Sequence, residues 1–449
     1  MPTPDRPTEK SLRVVFTMLP VTAHLFPLTP LAWALQSQGH EVRVVTHADQ
    51  ETVDAITAAG LTAVPLREKI DVPAAVAATA HDERLESIAR TLGVTPADTN
   101  RWQMVRHYLL ALFAMYTSGA ARAPEPDGPR PAVDELTDFL RDWQPDLVLW
   151  DPLFTPSPVA ARAAAVPHAR FLWGLDQFGW VRQQYTEKLN SSNPPGQDVM
   201  AEMIRPLLER YGDTFDEEVL LGQFSVDPTP QGMQLPVQGV TVPVRWVPYT
   251  GAAPLPDWLR ERPARPRVAL TLGTSARALF AGNEEFTARL VALADGLDVE
   301  FVATLTAGQL AGVGRLPDNI RAVDYVPLTQ LLPTCSAVIH HGGGGTISAA
   351  VAQGLPQLML PLKGSEYVDM ARYVESRKAG LVIEAEHAGV EEMRAQLERV
   401  LTEPAFREGA AALRADMAAA PAPADIIPQL ANLIAGHGRT SASDRKDAS

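Results

Sequence analysis

The sequence predicts an α/β protein made of two parallel-sheet halves. Three observations carry that prediction. β-Branched runs alternate with helical segments between residues 12 and 66, the alternation restarts near residue 263, and residues 242–266 between the halves hold six prolines. In the first half, LRVVFTM (12–18) reads as a short buried strand. The loop LPVTAHLFP follows it, and LTPLAWALQSQGHEV reads as a helix stopped by Gly39. EVRVVTH is a second strand, DQETVDAITAAG a second helix closed by Gly60, and LTAVPL a third strand. Strands that alternate with helices in this way form parallel sheets with right-handed crossovers. DELTDFLRDWQPDLVLWD then supplies another helix and the strand DLVLW, and AVPHARFLW reads as one more strand.

Two regions depart from the alternation. Between roughly 70 and 130, LESIARTLGV and WQMVRHYLLALFAMY place apolar residues at helical spacing and end in the turn-rich APEPDGPRP. Residues 181–222 also read as mainly helical. Beyond the proline belt come RVALTLGT, VEFVATL, IRAVDYVP and AVIHH as strands, with helices between them. The expected division is a first α/β domain over 1–241, a linker over 242–262, and a second α/β domain over 263–420. The apolar helix of ADIIPQLANLIAG is placed at 421–436 and a polar, disordered tail at 437–449.

Composition narrows the class. A balance of 46% hydrophobic and 20% charged residues over 449 positions fills ordinary globular cores. A net charge of −14 argues against nucleic acid as the main partner. Cys335 is the single cysteine, so neither an internal disulfide nor a thiolate metal cluster is expected. MPTPDRPTEK lacks the apolar stretch of a secretory signal, and no run of 18 apolar residues suggests a membrane span. A cytoplasmic protein is the expectation.

The residues most informative about function are AVIHHGGGGTISAAVAQGLPQLMLP, 337–361, where a strand meets a helix through four consecutive glycines. A tight turn at the carboxyl end of a parallel strand points N–H groups outward, and the helix dipole favours an anion there. Glycines let phosphate oxygens approach the backbone. Gly342, Gly343, Gly344 and Gly345 therefore read as a phosphate cradle, with Thr346 supplying a hydroxyl and His341 a hydrogen bond and, when protonated, a charge. The run is not a P-loop, because Thr346 follows Gly345 with no lysine between them. It is not a dinucleotide fingerprint either, because Ile347 stands where the third glycine would be. No two aspartates are spaced as Asp-x-Asp, so a metal-held diphosphate is not expected.

His24, in LPVTAHLFP at the carboxyl end of the first strand, is a candidate general base; the alternative is a histidine that caps the following helix. Asp151 ends DLVLWD and converges on the same cleft, or else faces solvent at a strand end. His340 reads as support for the cradle.

VPLTQLLPTCSAVIHHGGGGTISAAVAQGLPQLMLP resembles the donor-binding segment of two-domain GT-B nucleotide-sugar glycosyltransferases. The likeness is greatest to actinobacterial enzymes that put deoxysugars on macrolide, anthracycline and related antibiotics. It extends to LPVTAHLFPLTPLAWALQSQGHEVRVVTH, WQPDLVLWDPL, RWVPYTG, LPDWL, LTLGTS and FREGAAALRADM. The resemblance implies a GT-B fold, two Rossmann-like domains facing each other across a cleft, with the acceptor bound by the first and the donor by the second. It implies that His341, Gly345 and Thr346 contact the diphosphate and that Thr274 or Ser275 reaches it from the other side. Val326 and Pro327 would frame the base. Ser365 and Glu366 stand where many relatives carry an Asp-Gln pair that holds sugar hydroxyls, a departure that fits a donor with fewer hydroxyls or an amino group. His24 would be the base, oriented by Asp151, and the helix at 421–436 would cross back onto the first domain.

The implied activity is an inverting, metal-independent transfer of a deoxysugar from a dTDP-type donor to a polyketide or aromatic aglycone. The alternatives are a nucleotide-sugar epimerase of the same fold and a non-catalytic auxiliary subunit. No cofactor is implied beyond the nucleotide sugar as substrate. Expected partners are the nucleotide sugar and the acceptor. The helical segment WQMVRHYLLALFAMY has two readings, an apolar stripe packed against its own domain or a docking face for an auxiliary activator protein, and a homodimer is a further open alternative.

Overall fold

In the computed structural model, which describes residues 11–94, 102, 105–119, 130–192, 196–273, 284–361, 367–384 and 389–443, the apolar runs form two fully parallel sheets. The first contains β1 (Arg13–Thr17), β2 (Glu41–His47), β3 (Thr62–Leu66), β4 (Leu147–Trp150), β5 (His168–Phe171), β6 (Ser225–Asp227) and β7 (Thr241–Pro243), in the order β3-β2-β1-β4-β5-β6-β7. The second contains β8 (Arg267–Thr271), β9 (Glu300–Thr304), β10 (Ile320–Val323), β11 (Ala337–His340), β12 (Gln357–Met359) and β13 (Gly380–Val382), in the order β10-β9-β8-β11-β12-β13. Central strands such as β1, β4, β8 and β11 are buried almost throughout, as expected of strands covered by helices on both faces. In each sheet the chain order reverses once, between β1 and β4 and between β8 and β11. Such a reversal leaves a crevice at the carboxyl ends of the two strands.

Four strands were not anticipated. β6, β7, β12 and β13 are three residues each, too short for periodicity to show, and β7 ends at Pro243, inside the stretch expected to be linker. The segment read either as packing against its own domain or as a docking face takes the first role. Leu109, Leu110, Leu112 and Phe113 are buried in the core of their own domain, packed with Val15, Trp150 and Ile204. An apolar stripe buried there is not available to a partner.

The chain passes between the halves twice, and the two passages are bonded together. The Arg245 N–H donates to the Pro421 carbonyl (2.7 Å) and its Nε to the Ala420 carbonyl (3.1 Å). Tyr249 packs edge-on against Phe26 and Trp33 of helix α1 (Thr22–Ser37). On the other side, the Tyr325 hydroxyl donates to the Thr250 carbonyl, and Gln330, on helix α2 (Leu328–Leu331), donates to the Ala253 carbonyl (2.7 Å). The linker is thus clasped by both halves.

Helix α3 (Gly344–Gln353) touches α1 across the junction. An interdomain core joins Leu175, Met233 and Trp246 to Ile347 of α3 and Met370 of helix α4 (Tyr367–Ser376). The last helix, α5 (Ile427–Ser443), places Ile427 and Leu430 in the core of the first sheet and runs beyond residue 436, where the polar tail was expected to begin. Among the described residues no helix is long and apolar enough to cross a membrane.

Candidate active site

The carboxyl ends of β1, β4 and β5, adjacent in the first sheet, each deliver one side chain to a common point. β1 leads into α1, whose first turn carries His24. In the sequence LPVTAHLFP reads as a loop that ends at Pro27, with the helix beginning after it and holding Pro30 but not His24. The structure corrects this: both prolines lie inside α1, where Pro27 forfeits only the bond to the Ala23 carbonyl at the helix start. The consequence is a histidine anchored on a rigid element, buried to 6% exposure.

Asp151 follows β4 and is 3% exposed. Its Oδ2 lies 2.6 Å from His24 Nδ1 and also accepts from the Leu19 N–H (3.3 Å). Its Oδ1 accepts from the Leu153 N–H (2.9 Å) and from the Trp173 indole Nε1–H (3.0 Å). Burial alone would raise the pKa of this carboxyl. The His24 charge and these hydrogen bonds outweigh it and hold the pKa below the ordinary aspartate value. An ionised carboxylate only accepts, so Nδ1 carries the proton and Nε2 is the nitrogen left to act as a base.

Trp173, on the loop after β5, also stacks on the His24 ring, with centroids 4.2 Å apart and planes 23° from parallel. Sequence reading had absorbed Trp173 into a strand; its position just past the end of a central parallel strand was the available signal.

His47, at the end of β2, shows the contrasting fate of a buried histidine. Its Nδ1 donates to the Glu68 carbonyl (2.7 Å), so its Nε2 accepts from the Tyr116 hydroxyl (2.8 Å). Burial drives its pKa down to about 4, against the Glu68 bond. With both nitrogens occupied it is a structural group.

At the corresponding crevice of the second sheet, β11 ends in His340 and the glycine run begins. His340 Nδ1 accepts from the Gly342 N–H (3.0 Å) and Nε2 donates to Gln357 Oε1 of β12 (2.9 Å). This ties the start of the loop to the sheet, and burial takes the His340 pKa down to about 4. Gly342 has φ +92°, a left-handed conformation that a side chain would strain. A Cβ on Gly343 would stand 2.6 Å from His341 Nε2, and one on Gly273 would stand 2.5 Å from His341 Cε1. The His341 ring therefore occupies a slot between two glycines, one from each strand of the reversal.

The sequence allowed His341 a positive charge. The structure does not: burial, with His340 alongside, lowers its pKa to about 3 against a bond to the Thr271 backbone. His341 is neutral.

Gly343 is the N-cap of α3, and Gly344, Gly345 and buried Thr346 form its first turn. The N–H groups of Gly344 and Gly345 have no helical carbonyl to reach. Among the described residues, a Cβ on Gly345 would meet nothing within 4 Å. The Val326 side chain is 3% exposed and packs into the second domain's core with Leu259 and Ala349, and Pro327 is the N-cap of α2. Contact between Val326 and a base would have to come from its backbone. Thr274, Ser275, Ser365 and Glu366 lie outside the described residues.

The site thus pairs a hydrogen-bonded His–Asp dyad with a glycine-lined helix terminus, each at the strand-order reversal of its own sheet. Comparison with known proteins agrees with this architecture. The N-terminal domain model described as "Erythromycin biosynthesis protein CIII-like" matches residues 33–273, and the corresponding C-terminal domain model matches 288–433. The chain is 40% identical to aclacinomycin-T 2-deoxy-L-fucose transferase of Streptomyces galilaeus, over 95% of this chain and 97% of that one. It is 39% identical to 3-alpha-mycarosylerythronolide B desosaminyl transferase of Saccharopolyspora erythraea, over 95% and 99%. Among solved structures, the glycosyltransferase VinC in complex with dTDP superposes with a TM-score of 0.78 at 36% identity, covering 94% of this chain and 99% of that one. The chain belongs to the erythromycin biosynthesis protein CIII-like family and is a glycosyltransferase of GT-B fold.

Proposed function

We propose that this enzyme transfers a deoxysugar from a dTDP-linked donor to a hydroxyl of a polyketide or aromatic aglycone in antibiotic biosynthesis, with inversion and without a metal ion. The donor and acceptor classes are supported by the named activities of the relatives and by the dTDP held by VinC. The mechanism rests on one observation, the His24–Asp151 pair at 2.6 Å, whose geometry leaves Nε2 as the base.

In this reading the acceptor hydroxyl gives its proton to His24 Nε2 as its oxygen attacks the anomeric carbon. The bond from that carbon to the diphosphate oxygen breaks, and the electron pair leaves with the nucleoside diphosphate. Asp151 offsets the imidazolium that forms. The N–H groups of Gly344 and Gly345, reinforced by the α3 dipole, stabilise the departing diphosphate, a role such donors fill without metal chemistry. His341 contributes as a neutral group.

A His24→Ala variant is expected to fold and to bind dTDP by calorimetry as the parent does, while transferring sugar about 10²–10⁴-fold more slowly. Full turnover by that variant would sink the assignment of the base. The anomeric configuration of the product, read by NMR, tests inversion, and unchanged turnover in a chelator tests metal independence.

A further inference from the structure

An Asp–His hydrogen bond by itself fixes one ring nitrogen and leaves the imidazole free to swing about that contact. Trp173 addresses both partners of the dyad at once. Its Nε1–H reaches Asp151 Oδ1 at 3.0 Å, on the oxygen that His24 does not use, while its ring lies over the imidazole at 4.2 Å. The side chain is only partly buried, so it is not simply filling a core. Along with Leu109, Pro152, Leu153 and Phe178 it lines a small cavity beside the dyad.

We propose that Trp173 is a positioning residue that holds His24 and Asp151 in register for proton transfer, gripping the carboxylate with its N–H and the imidazole with its ring face. The inference rests on the reading of His24 as the base. When His24 takes the acceptor proton, the new cation lies over an indole, the most favourable aromatic face for a positive charge. Among the described residues, the charged group paired with His24 is Asp151. Tyr116 lies near enough to sense the Asp151 charge, and burial keeps its hydroxyl protonated.

The test is ¹⁵N-histidine NMR on the full-length protein, comparing the parent, Trp173→Phe and Trp173→Leu, with His24→Ala to assign the resonance. The parent should show the Nδ1–H tautomer. Trp173→Phe keeps a ring face but removes a donor from the carboxylate, which then holds the imidazolium harder, so the His24 titration midpoint should rise. Trp173→Leu removes the face as well, and its midpoint should fall about 0.5–1 pH unit below that of Trp173→Phe. Turnover should fall from parent to Phe to Leu, with dTDP affinity unchanged in all three.

Identical His24 midpoints and tautomers in the three proteins would overturn the proposal. If Trp173→Leu does not fold, Trp173→Phe decides alone, and an unchanged midpoint overturns it. Full activity of His24→Ala would instead remove the base assignment and leave the NMR comparison of the Trp173–His24 contact standing, so the two failures are distinguishable.

Discussion

The two strand-order reversals of this molecule share a topology and differ in almost everything chemical. At β1/β4 the crevice is equipped with side chains: a buried carboxylate with four donors, an imidazole aligned by it, and an indole that stacks on the imidazole and donates to the carboxylate. At β8/β11 it is equipped with backbone, and its two histidines are held neutral. The difference matches the division of labour proposed for the two halves. Moving a proton requires a titratable group whose charged form is stabilised where it forms. Holding a diphosphate requires N–H groups and room, and glycines provide both.

The sharpest way to break the comparison is to remove the charge from the first crevice. Asp151→Asn keeps the shape but offers no anion to the imidazolium and no longer enforces the Nδ1–H tautomer. Turnover should drop by about 10²-fold or more with dTDP affinity intact. A matching loss of dTDP binding, read by calorimetry, would mean the two crevices are not separable.

The second crevice can be tested with single methyl groups. Gly343→Ala drives a Cβ into the His341 ring, and overpacking of that kind costs about 1–3 kcal/mol, or roughly 5–150-fold in dTDP affinity if the whole cost falls on binding. Gly345→Ala adds its methyl to open space, and alanine is the better helix former by about 1 kcal/mol. Its Tm should therefore hold or rise while dTDP binding weakens. A Gly345→Ala variant that binds dTDP normally would move the diphosphate away from this helix end.

The smallest expected effect concerns pH. His340 and His341 have folded-state pKa values of about 4 and about 3, below the ordinary value of 6.5. Between those limits the unfolded chain binds more protons than the folded one, so stability rises with pH across this window. Their contribution is complete above about pH 6.5 and is lost as pH falls through about 4 and then 3. A thermal scan should show Tm falling from pH 7 to pH 4.5, with a smaller fall in His340→Gln than in the parent. Equal slopes would show that His340 titrates as an exposed group.

Much of the architecture was legible in the chain. β1 to β3 and β8 to β11 announced themselves as β-branched runs between helices, and the glycine run marked the end of β11. β6, β7, β12 and β13 did not, because three residues carry no readable period. His24 and Asp151 could be named as strand-end residues, yet each had a bland alternative of equal standing: a helix cap and a solvent-facing carboxylate. The 2.6 Å contact between them removes both alternatives. Trp173 was invisible as a site residue, since nothing in FLWGLD says which way an indole turns. The apolar stripe of WQMVRHYLLALFAMY was legible as helix and allowed both core and docking face, and folding decided for core because burial depends on what comes to cover it.

The sequence by itself determined the two parallel α/β halves, the proline-rich passage between them and the glycine-rich turn from β11 into α3, all of which are local in character. Strand length, alternation and backbone freedom are written into consecutive residues. Tertiary structure alone decided that His24, Asp151 and Trp173 meet, that His341 sits neutral in a slot between two glycines, and that α1 and α3 touch across the junction. Those facts turn on residues from separate elements, His24 and Asp151 lying 127 positions apart, and on exclusion of water. Protonation state in particular is set by burial and partners, which no stretch of chain contains until it is folded.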